Sequence, residues 1–95
     1  MKREDFVWTI GYQDDTAIVD GPARKRYRGR TAEELLQEGL YRAAFCAALY
    51  DGETEGFLPR FAEKTGIPAD SVPYLQRLFG VFDIPRSVGK VAITG

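Results

Sequence analysis

The sequence predicts an α+β protein with the element order β-β-α-α-α-β. Three observations carry this prediction: two-residue alternation near the N-terminus, a capping box followed by a long apolar stripe, and a short β-branched segment at the C-terminus. A small antiparallel or mixed three-stranded sheet is expected to pack against a central helix and two shorter helices. At 95 residues the chain has the size of one domain, so we expect a single α+β domain over residues 1–95.

The first two strands are predicted to form a hairpin. Apolar residues alternate from Phe6 to Tyr12, and Thr16 to Asp20 has the composition of the returning strand. Asp14 and Asp15 lie between them, and aspartate closes tight turns with its own side chain. The last strand, Gly89 to Thr94, is expected to join the hairpin, because a hairpin alone is only marginally stable.

The central helix is predicted to begin at a capping box formed by Thr31 and Glu34. Between Leu40 and Tyr50 the only charged residue is Arg42, which indicates a buried helix. Gly39 disfavours the helix interior and is expected to be a kink or a close-packing point. The apolar stripe consists of Leu36, Leu40, Ala43, Ala47 and Tyr50.

Two shorter helices are predicted to follow. The first begins near Leu58 and ends before Gly66, and the second is capped by Asp70 or Ser71 and continues to Phe79. Each contains a proline, which a helix tolerates in its first turn because the amide there has no intrahelical partner. These prolines are Pro59 and Pro73.

The composition removes several kinds of chemistry. The chain has no histidine and a single cysteine, Cys46, which excludes histidine-dependent triads, histidine-ligated metals, a four-cysteine zinc site and an internal disulfide. Residues 51–56 have the spacing that opens a calcium loop, but Ala62 occupies the place of the required glutamate. Cys46 is flanked by Ala and Phe and is expected to be a buried, inert thiol. We therefore predict a protein that is not an enzyme and uses no cofactor and no metal.

A cytoplasmic location without membrane contact is predicted. The N-terminus leads directly into the alternating segment rather than into a signal-peptide apolar stretch. The longest strongly apolar stretch, Ala43 to Tyr50, is far shorter than the roughly 20 residues of a membrane span. A lone cysteine also fits a reducing compartment.

A basic segment at residues 24–30 is the strongest local charge feature in a chain whose net charge is only −1. In an extended conformation Arg24, Arg26 and Arg28 project to one side about 6.6 Å apart, a row that can hold successive phosphates. The alternative is a solvated surface that deters edge-to-edge aggregation. The candidate polyanion-binding residues are Arg24, Lys25, Arg26, Tyr27, Arg28 and Arg30, with Tyr27 as a stacking surface.

Residues 58–78 carry apolar residues at the spacing found in helix-turn-helix proteins: Leu58, Phe61, Ala62, Gly66, Ile67, Val72 and Leu75. The stretch from Phe61 to Pro68 resembles the first helix and turn of the helix-turn-helix DNA-binding domains. The resemblance implies that the helix from Ser71 to Phe79 is a recognition helix.

The function predicted from these features is that of a small non-catalytic binding or regulatory domain whose partner is undetermined. A protein partner or a homodimer would use an apolar helical patch, for which Tyr41, Tyr50 and Tyr74 are candidates. The alternative is nucleic-acid binding through residues 24–30, with or without the helix pair at 58–79, and it predicts steep salt dependence. The remaining large aromatic residues are expected to fill the core: Trp8, Tyr12, Phe45, Phe57, Phe61, Phe79 and Phe82.

Overall fold

The computed structural model describes residues 1–85 and 88–95, which form two compact units. Unit 1 comprises Met1–Gly29 and Ile84–Gly95, and unit 2 comprises Arg30–Asp83. Unit 1 contains a mixed three-stranded sheet and unit 2 is helical, so the predicted α+β class is confirmed. Within the described ranges, no helix has the length and apolar character required to cross a membrane.

Unit 1 is organised around strand β2 (Thr16–Asp20). β2 pairs antiparallel with β1 (Thr9–Gln13) and parallel with β3 (Lys90–Thr94), so the sheet has the order β1-β2-β3. The predicted hairpin and the predicted addition of the last strand are therefore confirmed. Asp14 makes the hairpin turn with a left-handed φ of 56°. The elements are α1 (Arg3–Val7), β1 (Thr9–Gln13), β2 (Thr16–Asp20), α2 (Gly21–Arg26) and β3 (Lys90–Thr94).

The start of the first strand was predicted wrongly. Phe6 lies in helix α1, and the strand begins only at Thr9. The Trp8 amide donates to the Glu4 carbonyl at 3.2 Å, which is a helical backbone bond, and the Thr9 hydroxyl donates to the Asp5 carbonyl at 2.5 Å, which connects the first residue of the strand to the helix. Glu4 and Asp5 lie in the first turn of α1, where the helix dipole favours negative charge. The alternation from Phe6 to Tyr12 therefore spans the end of a helix and the start of a strand, although it has the two-residue period of a single strand.

Helix α2 was not predicted either. Asp20 caps it by accepting a hydrogen bond from the Ala23 amide at 3.1 Å, and Pro22 occupies the first turn. The extended conformation considered for residues 24–30 is therefore wrong for the part of that segment that lies in α2. With α1 and α2 included, and with the predicted central helix divided into two, the element order of the described residues is α-β-β-α-α-α-α-α-β.

Unit 2 contains four helices: α3 (Ala32–Gln37), α4 (Tyr41–Asp51), α5 (Thr54–Thr65) and α6 (Val72–Phe79). The predicted capping box is present at the start of α3. The Glu34 amide donates to the Thr31 hydroxyl and the Thr31 amide donates to the Glu34 carboxylate, both at 3.1 Å. The hydrogen bond from the Thr31 backbone is the main cause that lowers the pKa of Glu34.

The predicted central helix is two helices. Gly39 adopts a φ of 81°, a left-handed conformation that ends α3 and redirects the chain into α4. Helix α5 begins at Thr54, before the predicted Leu58, so Pro59 lies inside the helix rather than in its first turn. Both Pro59 and Glu55, whose carbonyl lacks the usual amide partner, are exposed, and water can take the place of the missing hydrogen bond.

Helix α4 forms the core of unit 2, as predicted. Its residues from Ala43 to Ala48 are all buried. Phe45 contacts two neighbouring helices, because its ring stacks on Phe79 of α6 at 5.8 Å between centroids and meets Phe57 of α5 at 6.3 Å. Phe61 completes the cluster through an edge contact with Phe79 at 5.9 Å. The small side chains of α4 allow these aromatic rings to approach the helix.

Gly21 is expected to be indispensable for the position of β3. A Cβ atom at Gly21 would lie 2.0 Å from the Thr94 carbonyl oxygen, a distance that no side chain can adopt. We predict that Gly21→Ala lowers the free energy of unfolding by roughly 1–3 kcal/mol, because overpacking forces the backbone apart. Urea unfolding followed by circular dichroism measures this change.

The matched control for Gly21→Ala is Gly56→Ala. Gly56 lies in α5 with open space around its Cα, and alanine there should stabilise the chain by roughly 0.5–1 kcal/mol. A Gly21→Ala protein as stable as the wild type would contradict the close approach of β3 to α2.

Candidate functional site

The six residues predicted to bind polyanions do not lie in one extended segment. Arg24, Lys25 and Arg26 lie in α2, Tyr27 follows as its C-cap, and Arg28 comes next. Arg30 belongs to unit 2, where it pairs with Glu34 at 3.7 Å. The predicted extended row of Arg24, Arg26 and Arg28 is therefore not formed, because the first two of these residues lie in a helix.

Arg24 has a structural partner. Its Nε donates to the Asp5 carboxylate at 2.8 Å, and the Asp5 side chain is only 9% exposed. This ion pair joins α2 to α1 within unit 1. Because a nearly buried carboxylate is costly without its counter-ion, Arg24 is committed to the fold rather than to a ligand.

Tyr27 is also used inside unit 1. Its ring stacks on Trp8 with 5.4 Å between centroids and 26° between planes. The Arg26 guanidinium lies 5.4 Å from the centroid of the same ring, a cation–π geometry. The predicted stacking surface for a nucleobase is therefore already engaged by this chain's own side chains.

Three of the six predicted residues are cations that are exposed to solvent: Lys25, Arg26 and Arg28. Across residues 1–85 and 88–95, none of the three makes an ion pair with a carboxylate. We call this group the α2 cations. It is smaller than the predicted basic site, and it keeps the charge but not the aromatic platform.

The predicted third helix is confirmed as α6, with Ser71 as its N-cap. The Ser71 hydroxyl accepts a hydrogen bond from the Tyr74 amide at 3.4 Å, and Pro73 lies in the first turn. Leu75 points into the core, whereas Tyr74 and Leu78, one turn apart, are 37% and 47% exposed. Arg77 is the one charged side chain of this helix.

The chain after α6 adds a third exposed apolar side chain. Phe82 is 64% exposed, although it was predicted to fill the core. Its carbonyl accepts a hydrogen bond from Gln76 Nε2 at 2.5 Å, and the buried Val81 donates its amide to the Gln76 carbonyl at 3.0 Å. These bonds hold the segment against the end of the helix. We call Tyr74, Leu78 and Phe82, the exposed large apolar side chains of α6 and of the segment bonded to its end, the α6 surface.

Sequence reasoning identified only Tyr74 of the α6 surface. A signal for Leu78 was present, because Val72, Leu75 and Phe79 already form one apolar stripe at spacings of three and four. Leu78 falls outside that stripe. Nothing local distinguishes Phe82 from a core residue, since its exposure depends on how the chain leaves α6.

The one thiol of the chain is placed as predicted. Cys46 is buried in α4, and burial raises the pKa of its thiol to about 11, with the Arg42 charge opposing this shift in part. With this raised pKa, Cys46 is almost fully protonated near neutral pH. It is therefore unreactive, because the thiolate is the reactive form. This geometry suits a packing residue.

An open groove of about 620 Å³ lies in unit 2 between the start of α3 and the start of α5. Arg60 lines this groove and forms an ion pair with Glu33. Glu53 and Glu55 also line it and are exposed to water. The cation of the groove, Arg60, is thus already paired with a carboxylate of the same unit, and the carboxylates of Glu53 and Glu55 are in water.

Comparison with known proteins adds no relative. No protein-family model matches the chain, and neither the curated proteins nor the solved structures contain a match.

The structural role of Arg24 gives a stability prediction. Arg24→Gln leaves the Asp5 carboxylate without its cation and should lower the free energy of unfolding by roughly 1–3 kcal/mol. The adjacent Lys25→Gln, on an exposed and unpaired side chain, should change it by less than about 0.5 kcal/mol. Chemical denaturation followed by Trp8 fluorescence reports on this unit.

The double variant Asp5→Asn/Arg24→Gln separates pairing from packing. It should recover part of the stability lost in Arg24→Gln, because no uncompensated charge remains. Equal stability of Arg24→Gln and Lys25→Gln would show that the Arg24–Asp5 pair has no role in the fold.

Proposed function

We propose that this chain is a small non-catalytic protein-binding domain that contacts its partner through the α6 surface. The observation that carries the proposal is the exposure of Tyr74, Leu78 and Phe82 on one helix and the segment bonded to its end. Large apolar side chains gathered in this way are typical of binding surfaces. Tyrosine is also among the residues that contribute most to binding at interfaces.

The chemistry of the surface suits an amphipathic partner helix with a carboxylate beside its apolar stripe. Tyr74 and Leu78 are separated by one helical turn, which matches the spacing of apolar residues on such a helix. Arg77 lies next to both and is exposed. A carboxylate on the partner would pair with this guanidinium, which presents a rigid fork of donors to carboxylates.

A cytoplasmic setting belongs to the same proposal. It is supported by Cys46, a thiol without a disulfide partner, since reducing compartments keep thiols free.

Site-specific photo-crosslinking in the source cells tests the α6 surface. A photoreactive phenylalanine analogue at position 74 or 82 should form one discrete covalent adduct with a partner protein. The same analogue at Glu63, an exposed position of α5, serves as the control and should form none. Leu78→Asp and Arg77→Glu should each reduce the adduct from position 74 at least about tenfold, the effect of losing roughly 1.4 kcal/mol of binding.

Two results would overturn this proposal. One is the absence of any adduct from both positions 74 and 82. The other is an equal yield from position 63, which would show that crosslinking reports collision rather than a docked partner.

A second candidate function is polyanion binding by the α2 cations. The observation that favours it is the exposure of Lys25, Arg26 and Arg28 without ion-pair partners in the described part of the chain. Helix α6, which was predicted as a recognition helix by resemblance, carries only Arg77 as a base. The nucleic-acid alternative therefore depends on the α2 cations.

Fluorescence anisotropy with labelled single- and double-stranded oligonucleotides tests this second candidate. Three phosphate contacts predict that affinity falls roughly fortyfold between about 50 and 200 mM salt. Lys25→Glu/Arg26→Glu/Arg28→Glu should abolish binding, with Arg24 left intact because Asp5 needs it. Lys2→Glu/Lys64→Glu changes the net charge by four of the same six units and should retain most of the affinity. Equally large losses in both variants would indicate attraction by net charge alone.

A further inference from the structure

The outer edge of strand β3 pairs with no other strand of the described residues. β3 is the last strand in the order β1-β2-β3, so within residues 1–85 and 88–95 it is paired with β2 on one side only. All five of its residues are exposed, with Val91 at 40% and Ile93 at 57%. A strand edge of this kind presents a row of backbone donors and acceptors beside apolar side chains.

The opposite edge of the sheet has a protective feature that β3 lacks. In β1 the register shifts between Thr9 and Gly11, which is a bulge or a related irregularity. Bulges, prolines and charges within a strand are the usual means of preventing edge pairing. β3 contains no proline and no register shift against β2, and its only charge, Lys90, is at its first position.

We propose that β3 pairs antiparallel with β3 of a second copy of this chain, so that two three-stranded sheets join into one of six strands. The sequence of β3 is self-complementary around Ala92. With Ala92 on the two-fold axis, Val91 faces Ile93 of the second copy, and Lys90 faces Thr94 of the second copy. Apolar side chains thus meet apolar ones, a pairing that stabilises antiparallel strands.

The charges of the sheet favour this antiparallel arrangement. Thr94 is the register partner of Asp20 on β2, and register partners share one face of a sheet. Lys90 of one copy would therefore point across Thr94 of the other towards its Asp20, two strand spacings or about 10 Å away. Parallel pairing in register would instead set two Lys90 side chains side by side. In the described residues, neither Lys90 nor Asp20 has an ion pair of its own.

The size of the contact predicts a weak dimer. A strand of five residues is about 17 Å long, and a single strand pair of this length lies at the low end of specific interfaces. We expect association to depend on concentration, with monomer dominant at low micromolar concentration and dimer accumulating towards about 1 mM.

Sedimentation equilibrium over that concentration range is the primary test. The average mass of the wild type should rise from 10.6 kDa towards twice that value. Ile93→Lys and, independently, Lys90→Glu should keep the protein monomeric. Ile10→Lys is the matched control, because Ile10 is an equally prominent isoleucine on β1 with 64% exposure, and it should associate as the wild type does.

Disulfide trapping tests the register by a readout other than average mass. Ala92→Cys brings two thiols together across the proposed two-fold axis, so mild oxidation should give a covalent dimer at least about tenfold faster than Gln13→Cys, which is exposed on β1. The native Cys46 is buried and does not interfere. The proposal is overturned by a wild type that stays monomeric, by association that survives both β3 substitutions, or by equal trapping rates.

Discussion

The stacking of Phe45 on Phe79 is the contact on which the arrangement of unit 2 depends. It connects the buried helix α4 to α6, and the edge contact of Phe61 with Phe79 adds α5 to the same cluster. Once Leu75 and Phe79 face inward, helical geometry turns Tyr74 and Leu78 outward. The exposed apolar character of α6 is therefore a consequence of how its core face is bound.

In unit 1, the residues at the end of β2 determine where α2 begins and how closely β3 approaches it. Asp20 both terminates the strand and caps α2, and Gly21 gives the Thr94 carbonyl room to approach. Helix α2 then places Arg24 against Asp5, so part of its positive charge serves the fold. Lys25 and Arg26 of α2 are exposed to water, and among the described strands β3 has a partner on one edge only.

The sequence was most informative where structure is determined locally. The Thr31–Glu34 capping box, the Asp14 turn and the Ser71 cap each involve residues within a few positions of one another, and all three are present. Predictions failed where contacts between residues far apart in the sequence determine the structure. No local pattern shows that Arg24 will meet Asp5, or that the Phe82 side chain will be exposed. That residues 1–95 form one domain stays a prediction.

We have proposed that the exposed side chains of Tyr74, Leu78 and Phe82 serve binding rather than folding. The most direct test is the free energy of unfolding of the Tyr74→Ser/Leu78→Ser/Phe82→Ser variant, measured by chemical denaturation. We predict a change of less than about 1.5 kcal/mol, because exposed side chains contribute little to stability. A loss of more than about 5 kcal/mol, as expected when several core side chains are truncated, would contradict the claim and assign these residues to the core.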